Sequence, residues 1–187
     1  MKIKFFLMGV VLCLATGNSQ ATNFTFQAGL TIGGDAFIDT GNDNDLTAGD
    51  AIYFGGAVDF DVSNDAIVRL GVALRDGEAE FTDATEEFST TQFELLYLKS
   101  NDTLVYGGGV SLHQSPEYKI NFDGFGTLKQ NFDEALGFVG QLGYLFDNHE
   151  LGARLEIVDF ETTGPLLVDD STIDGTSISF YYAYRFR

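Results

Sequence analysis

From residue 24 onward the chain alternates apolar and polar side chains in runs long enough to restrict its fold class. Phe24, Phe26, Ala28, Leu30 and Ile32 share one face, with Thr25, Gln27, Gly29 and Thr31 on the other. A period of two belongs to an extended strand, whose successive side chains point to opposite faces. Seven further rows follow, over residues 52–62, 66–74, 93–97, 104–112, 136–146, 151–157 and 178–186. The row over 93–97 is the least regular, because Leu96 and Leu98 stand opposite Phe93, Leu95 and Tyr97. Most rows cover roughly 9 to 11 residues, the length of a tilted strand crossing a hydrocarbon layer. Strands of soluble sheets are shorter, about 5 to 6 residues. No later apolar stretch approaches the roughly 18 residues of a helical span.

The face opposite the apolar rows carries Arg69, Arg75, Glu94, Gln141, Arg154, Glu156 and Arg185. Ionised groups on the enclosed side and oily groups outside invert the pattern of a soluble barrel. Three connections, over 63–65, 100–102 and 147–149, are short and polar and fit hairpin turns. The other four, at about 33–50, 76–91, 114–134 and 159–176, are long. Short turns at one end and long loops at the other are the pattern of outer-membrane barrels. The expectation is an all-β fold, an eight-stranded antiparallel up-and-down transmembrane β-barrel.

Charge and targeting narrow the partners. Asp and Glu number 28 against 10 Lys and Arg, a formal net charge of −18. That excess disfavours nucleic acid and bare anionic lipid, and 44% hydrophobic residues are too many for a disordered acidic chain. Lys2 and Lys4 precede an apolar run over 5–15, and Ser19-Gln20-Ala21 offers small residues for cleavage. Residues 1–21 therefore read as a cleaved signal peptide and 22–187 as the barrel. Losing Lys2 and Lys4 takes the formal charge from −18 to −20. The single cysteine, Cys13, falls in the signal, so the remainder has no disulfide and no thiolate metal site.

With these rows and turns the chain resembles the small eight-stranded outer-membrane barrels of the OmpA-transmembrane and OmpX kind. The resemblance covers residues 22–187 and is one of pattern. It implies the outer membrane of a Gram-negative bacterium, both termini in the periplasm, long loops outside the cell and a monomer in contact with outer-membrane lipid. In that class an alternating last strand ending on an aromatic residue is recognised by the outer-membrane assembly machinery. Phe180, Tyr182, Tyr184 and Phe186 match it, and Arg187 departs from it by leaving the aromatic penultimate.

Three groups of residues carry candidate chemistry. Arg69, Glu94, Arg154 and Glu156, with Arg185, form an expected polar network inside the barrel, where unpaired charges are costly and should pair with one another. An eight-stranded barrel is just wide enough to be filled by its own side chains, so a packing plug is favoured over a gated small-solute pore. Gly107, Gly109 and Gly152 on the inner face are expected to make room for long neighbours. The loops hold most of the acid, with Lys119 and Lys129 alone as bases in the third. With strand extensions expected around Glu78 to Phe81 above the membrane, whose exposed edges could pair with a partner's strand, they suit an extracellular protein or a divalent cation. The stretch from Asp39 to Asp50 only weakly resembles a calcium loop, since Gly41, Asn44 and Asp50 stand at positions that want other residues. Ser111 and His113, with Glu117 to orient the ring, are the candidates for a lipid A-modifying enzyme. Their inward register speaks against it. No cofactor is expected, and the function expected is a non-catalytic structural or surface-interaction role.

Overall fold

The computed structural model describes residues 21–37, 45–81, 83–122, 124–163 and 172–186. Residues 1–20 of the expected signal, the core of the calcium-like stretch at 38–44, and Arg187 lie outside the described residues. Among the described residues, regular structure is entirely β. In chain order the strands are β1 (Ala21–Gly33), β2 (Ala51–Ser63), β3 (Ala66–Glu80), β4 (Ala84–Ser100), β5 (Leu104–Phe122), β6 (Gly126–Asn131), β7 (Ala135–Phe146), β8 (His149–Ile157), β9 (Asp159–Glu161), β10 (Thr172–Asp174) and β11 (Ser177–Phe186).

Eight of these close a ring in the order β1, β2, β3, β4, β5, β7, β8, β11, each antiparallel to its neighbours. The seam joins β1 to β11, from Phe24 opposite Phe186 to Gly33 opposite Ser177. Closure removes the unpaired edges that an open sheet would present. The fold is thus the eight-stranded antiparallel up-and-down barrel.

Alternation then sorts the two faces. Leu74, Phe138 and Leu142 are 62, 63 and 55% exposed, whereas Arg69 and Glu150 are fully enclosed. The short turns sit at the lower end, where the Asn101 side chain accepts the N–H groups of Thr103 at 2.9 Å and Leu104 at 2.7 Å. Such an Asx turn satisfies backbone donors that the ladder leaves over.

Two of the expected long connections are largely strand instead. β3 and β4 run on to Glu80 and from Ala84, and β5 continues to Phe122 before β6 returns beside it. The four strands make a sheet that stands above the barrel. Its reason is burial: Phe88, Tyr118 and Ile120 turn inward there, while Glu87 and Lys119 turn out. The acidic composition of 76–91 concealed this alternation. At Ser115 the backbone adopts φ 51°, and Pro116 follows; below this bend β5 pairs with β7, and above it with β6.

Candidate functional site

The enclosed face of the barrel is layered. In the lower half Arg69 donates from Nε and Nη2 to Asp59 at 2.7 and 3.0 Å, directly across the β2–β3 ladder. Arg69 also reaches Glu150 at 3.4 Å. Glu150 collects further donors: Arg185 Nη2 at 2.6 Å, the Tyr181 hydroxyl at 2.5 Å and the Gln141 amide at 3.0 Å. In the middle Arg154 pairs with Glu94 and lies 6.0 Å from the centre of the Tyr53 ring. Above them Glu156 accepts from Arg75 and Gln92, both at 2.7 Å, and from Ser111 at 2.5 Å, with His113 Nε2 at 3.0 Å.

The ionised inventory of the barrel interior balances. Arg69, Arg75, Arg154 and Arg185 face Asp59, Glu94, Glu150 and Glu156. Each guanidinium has a carboxylate within ion-pair distance, which offsets the desolvation of both. A cavity of about 10 Å³ lies among Thr31, Tyr53, Arg75, Gln92, Arg154, Glu156 and Ser179, at or below the space one water occupies.

The ionic layer shares the lower barrel with an apolar cluster of Ile67, Leu96, Leu98, Val105 and Val139, in which Leu96 stands opposite Arg69 in register. Above it an aromatic cap joins Phe37, Phe88, Tyr118, Phe132 and Phe160, with Phe37 stacked on Tyr118 at 4.4 Å and Phe160 edge-on to Phe88 at 5.5 Å. Phe160 also meets His113 edge-on at 5.3 Å, so cap and ionic layer touch. Glu86 points into the cap and accepts the Leu46 N–H at 3.4 Å. Burial pushes its carboxyl above the ordinary value, and burial and then the neighbouring Glu86 push the Tyr118 phenol far up. Outside, a hydrogen bond from Lys119 holds Glu117 below the usual carboxylate range.

The sequence-derived residues do not converge on one cluster. Arg154 meets Glu94, but Arg69 and Glu156 take other partners, Asp59 with Glu150 and Arg75 respectively. Asp59 and Glu150 were not anticipated, although both stand at inward positions, and Asp59 stands opposite Arg69 in register. Of the inner glycines, Gly152 leaves room for Tyr181, whose hydroxyl lies 2.5 Å from where a Cβ would be. At Gly109 a Cβ would instead fall 2.0 Å from the backbone oxygen of Leu95, so this glycine admits the adjacent strand rather than a long side chain.

Ser111 and His113 both turn inward and share one oxygen of Glu156. The serine proton goes to that carboxylate, not to the imidazole, so His113 does not stand as base on the hydroxyl. Glu117 does not orient His113; it binds Lys119 at 2.8 Å on the outer face. Among the described residues no three His, Cys, Asp or Glu side chains are grouped to hold a metal ion. Phe180, Tyr182 and Phe186 face outward on the seam strand, with Tyr184 half-buried. Tyr182 bonds His149 Nδ1 at 2.6 Å, and His149 stacks on Phe146 at 5.2 Å.

Comparison with known proteins agrees on architecture. No family model and no curated protein matches the sequence. Among solved structures the chain is similar to Ail, the attachment invasion locus protein of Yersinia pestis, in complex with the heparin analogue sucrose octasulfate. That match has a TM-score of 0.58 and 14% identity, over 89% of this chain and all of the other. A second Ail structure gives a TM-score of 0.53, again at 14% identity and over the same shares. At this identity the likeness is one of fold: a small eight-stranded outer-membrane β-barrel.

Proposed function

We propose that this chain is an integral outer-membrane barrel, non-catalytic and closed to solutes, that presents its protruding sheet to partners at the cell surface. Residues 1–21 serve as its cleaved signal, and Phe180, Tyr182, Tyr184 and Phe186 address it to the assembly machinery. The belt of exposed apolar side chains around an ionised interior supports the membrane location, because water outside would favour the reverse arrangement. Four balanced ion pairs under an aromatic cap support a plug rather than a pore. The Ail likeness lends a surface-attachment role some weight by analogy of fold.

The observation that carries the interaction reading is the sheet of β3, β4, β5 and β6. Among the described residues Gly77–Glu80 of β3 ladders only with β4, and Gly126–Lys129 of β6 only with β5. Beyond Gly77, which residues 45–50 cover, each therefore offers one row of backbone groups to an incoming strand, the mode of strand addition. Proline at Glu80 and Lys129, whose N–H groups point away from the β4 and β5 ladders, should block strand pairing at both edges. Binding of cells that display the barrel to host-cell or matrix preparations should then fall to the level of the bare strain. Equal attachment by the proline variant, with the barrel still folded, would remove the sheet edges as the interacting surface. Purified protein in planar bilayers is expected to be electrically silent; steady conductance would replace the plug with a pore.

A further inference from the structure

On the outer wall, where β1, β2 and β3 leave the apolar belt, lies an open groove of about 720 Å³. Sites for small organic ligands span roughly 300 to 1,000 Å³. Ile32, Ile52 and Leu74 form its floor, 57, 49 and 62% exposed and continuous with the rows below. Asp50, Asp76 and Glu78 form its rim. Along β3 the outward side chains read Val72, Leu74, Asp76, Glu78, so floor gives way to rim within one two-residue step of about 7 Å.

A glycine builds the far wall. A Cβ on Gly77 would stand 2.1 Å from the Asp50 carbonyl oxygen and 3.3 Å from Leu46 Cδ1, so any larger residue would push residues 45–50 away from β3. That segment is anchored from behind, with Leu46 buried and its N–H on Glu86. Asp50 is fixed as well, accepting the Gly33 N–H at 3.1 Å. No Lys or Arg lines the groove among the described residues, and residues 38–44 contain none in sequence. Lys119, two strands away, is held by Glu117 and acts on Asp76 only at longer range.

We infer that this groove receives an amphiphile from the surrounding membrane, with an apolar tail on the floor and an amine head group at the rim. A tail can enter sideways from hydrocarbon without crossing water. The head then meets carboxylates at the height where the apolar row ends. An anionic head would face those same carboxylates unfavourably, and an uncharged hydroxyl would gain a hydrogen bond but no charge attraction from them. The inference goes beyond the surface role proposed above and rests only on its membrane placement.

The test uses the mature protein in phosphatidylcholine nanodiscs with nitroxide-labelled stearylamine, stearic acid or stearyl alcohol. Paramagnetic broadening is read at the amides of Ile52, Leu74 and Ala79 and, on the opposite wall, at Leu136 and Phe138. Stearylamine should broaden the groove about fivefold more than the opposite wall, as expected of one or two exposed ion pairs. Asp76→Asn with Glu78→Gln should bring that ratio near one while heat-modifiable gel mobility stays unchanged. Uniform broadening around the barrel, or the same preference for all three probes, overturns the inference. Failure of the protein to enter the discs overturns the membrane placement, and the groove's occupant with it.

Discussion

Below His113 the ionised side chains of this molecule point inward and its outside is oily; above His113 the inside is aromatic and the outside mostly acidic. The same continuous strands make both halves. On β4 the inward positions pass from Glu94 and Gln92 to Phe88, and on β8 and just beyond it from Arg154 and Glu156 to Val158 and Phe160. On β4 and along β8 to β9 the backbone keeps its period of two, and only β5 shifts by one residue, at Ser115, so strand geometry is not the cause of the inversion on β4 and β8. What changes is the medium outside. Hydrocarbon leaves the polar groups nowhere to go but inward, and water drives the aromatic ones together. The level of His113 and Phe160 thus marks the crossover from the inside.

The two interiors should fail differently. The largest effect is expected from Glu150→Ala, which strips Arg185 of its carboxylate and leaves Arg69 with Asp59 alone. Removing one partner of a buried pair costs about 3–5 kcal/mol, read from urea unfolding in bilayers as a lowered midpoint of the whole barrel. Phe160→Ala should cost about 3 kcal/mol through the cavity it leaves. That loss should appear as faster amide exchange in β6 and the upper ends of β4 and β5, with little change in the lower barrel. Equal exchange changes in both halves would mean that cap and plug unfold as one unit.

Replacing a pair together sharpens the contrast. Glu94→Leu with Arg154→Met removes both charges, and stability should stay within about 1 kcal/mol of the starting protein or rise. Glu94→Leu alone should destabilise clearly, because it strands Arg154. If the double variant is the worse of the two, the ion pair is contributing more than its own desolvation cost. The smallest effect belongs to Glu86. Its carboxyl titrates higher in the folded cap than in the unfolded chain, so the folded state binds the proton more tightly. That contribution is complete below the ordinary Glu value of about 4.3. It is lost as pH rises through the folded value, so amide protection in the cap should fall across that range, and Glu86→Gln should flatten the slope.

The residues that misled are as informative as those that did not. Rows such as Phe24 to Ile32 announce strand and sidedness together, because every second position repeats one choice. Between 76 and 91 the choice reverses, so a search for outward apolar residues finds only acid and reads loop, apart from the extension expected around Glu78 to Phe81. The interior pairs were half legible. Arg154 and Glu94 were both marked as enclosed, yet nothing in their spacing singles out one another. Arg69 found Asp59 through the β2–β3 register, and Glu150 through barrel closure, from 81 residues away.

Local alternation, turn chemistry and charge balance were enough to dictate strands, their direction and which face meets hydrocarbon, since each depends on neighbours along the chain. Partner choice inside the barrel, the aromatic cap and the groove beside Gly77 depend on residues brought together across the ring. Closure and register assign those distances, and one sequence read in a line does not contain them.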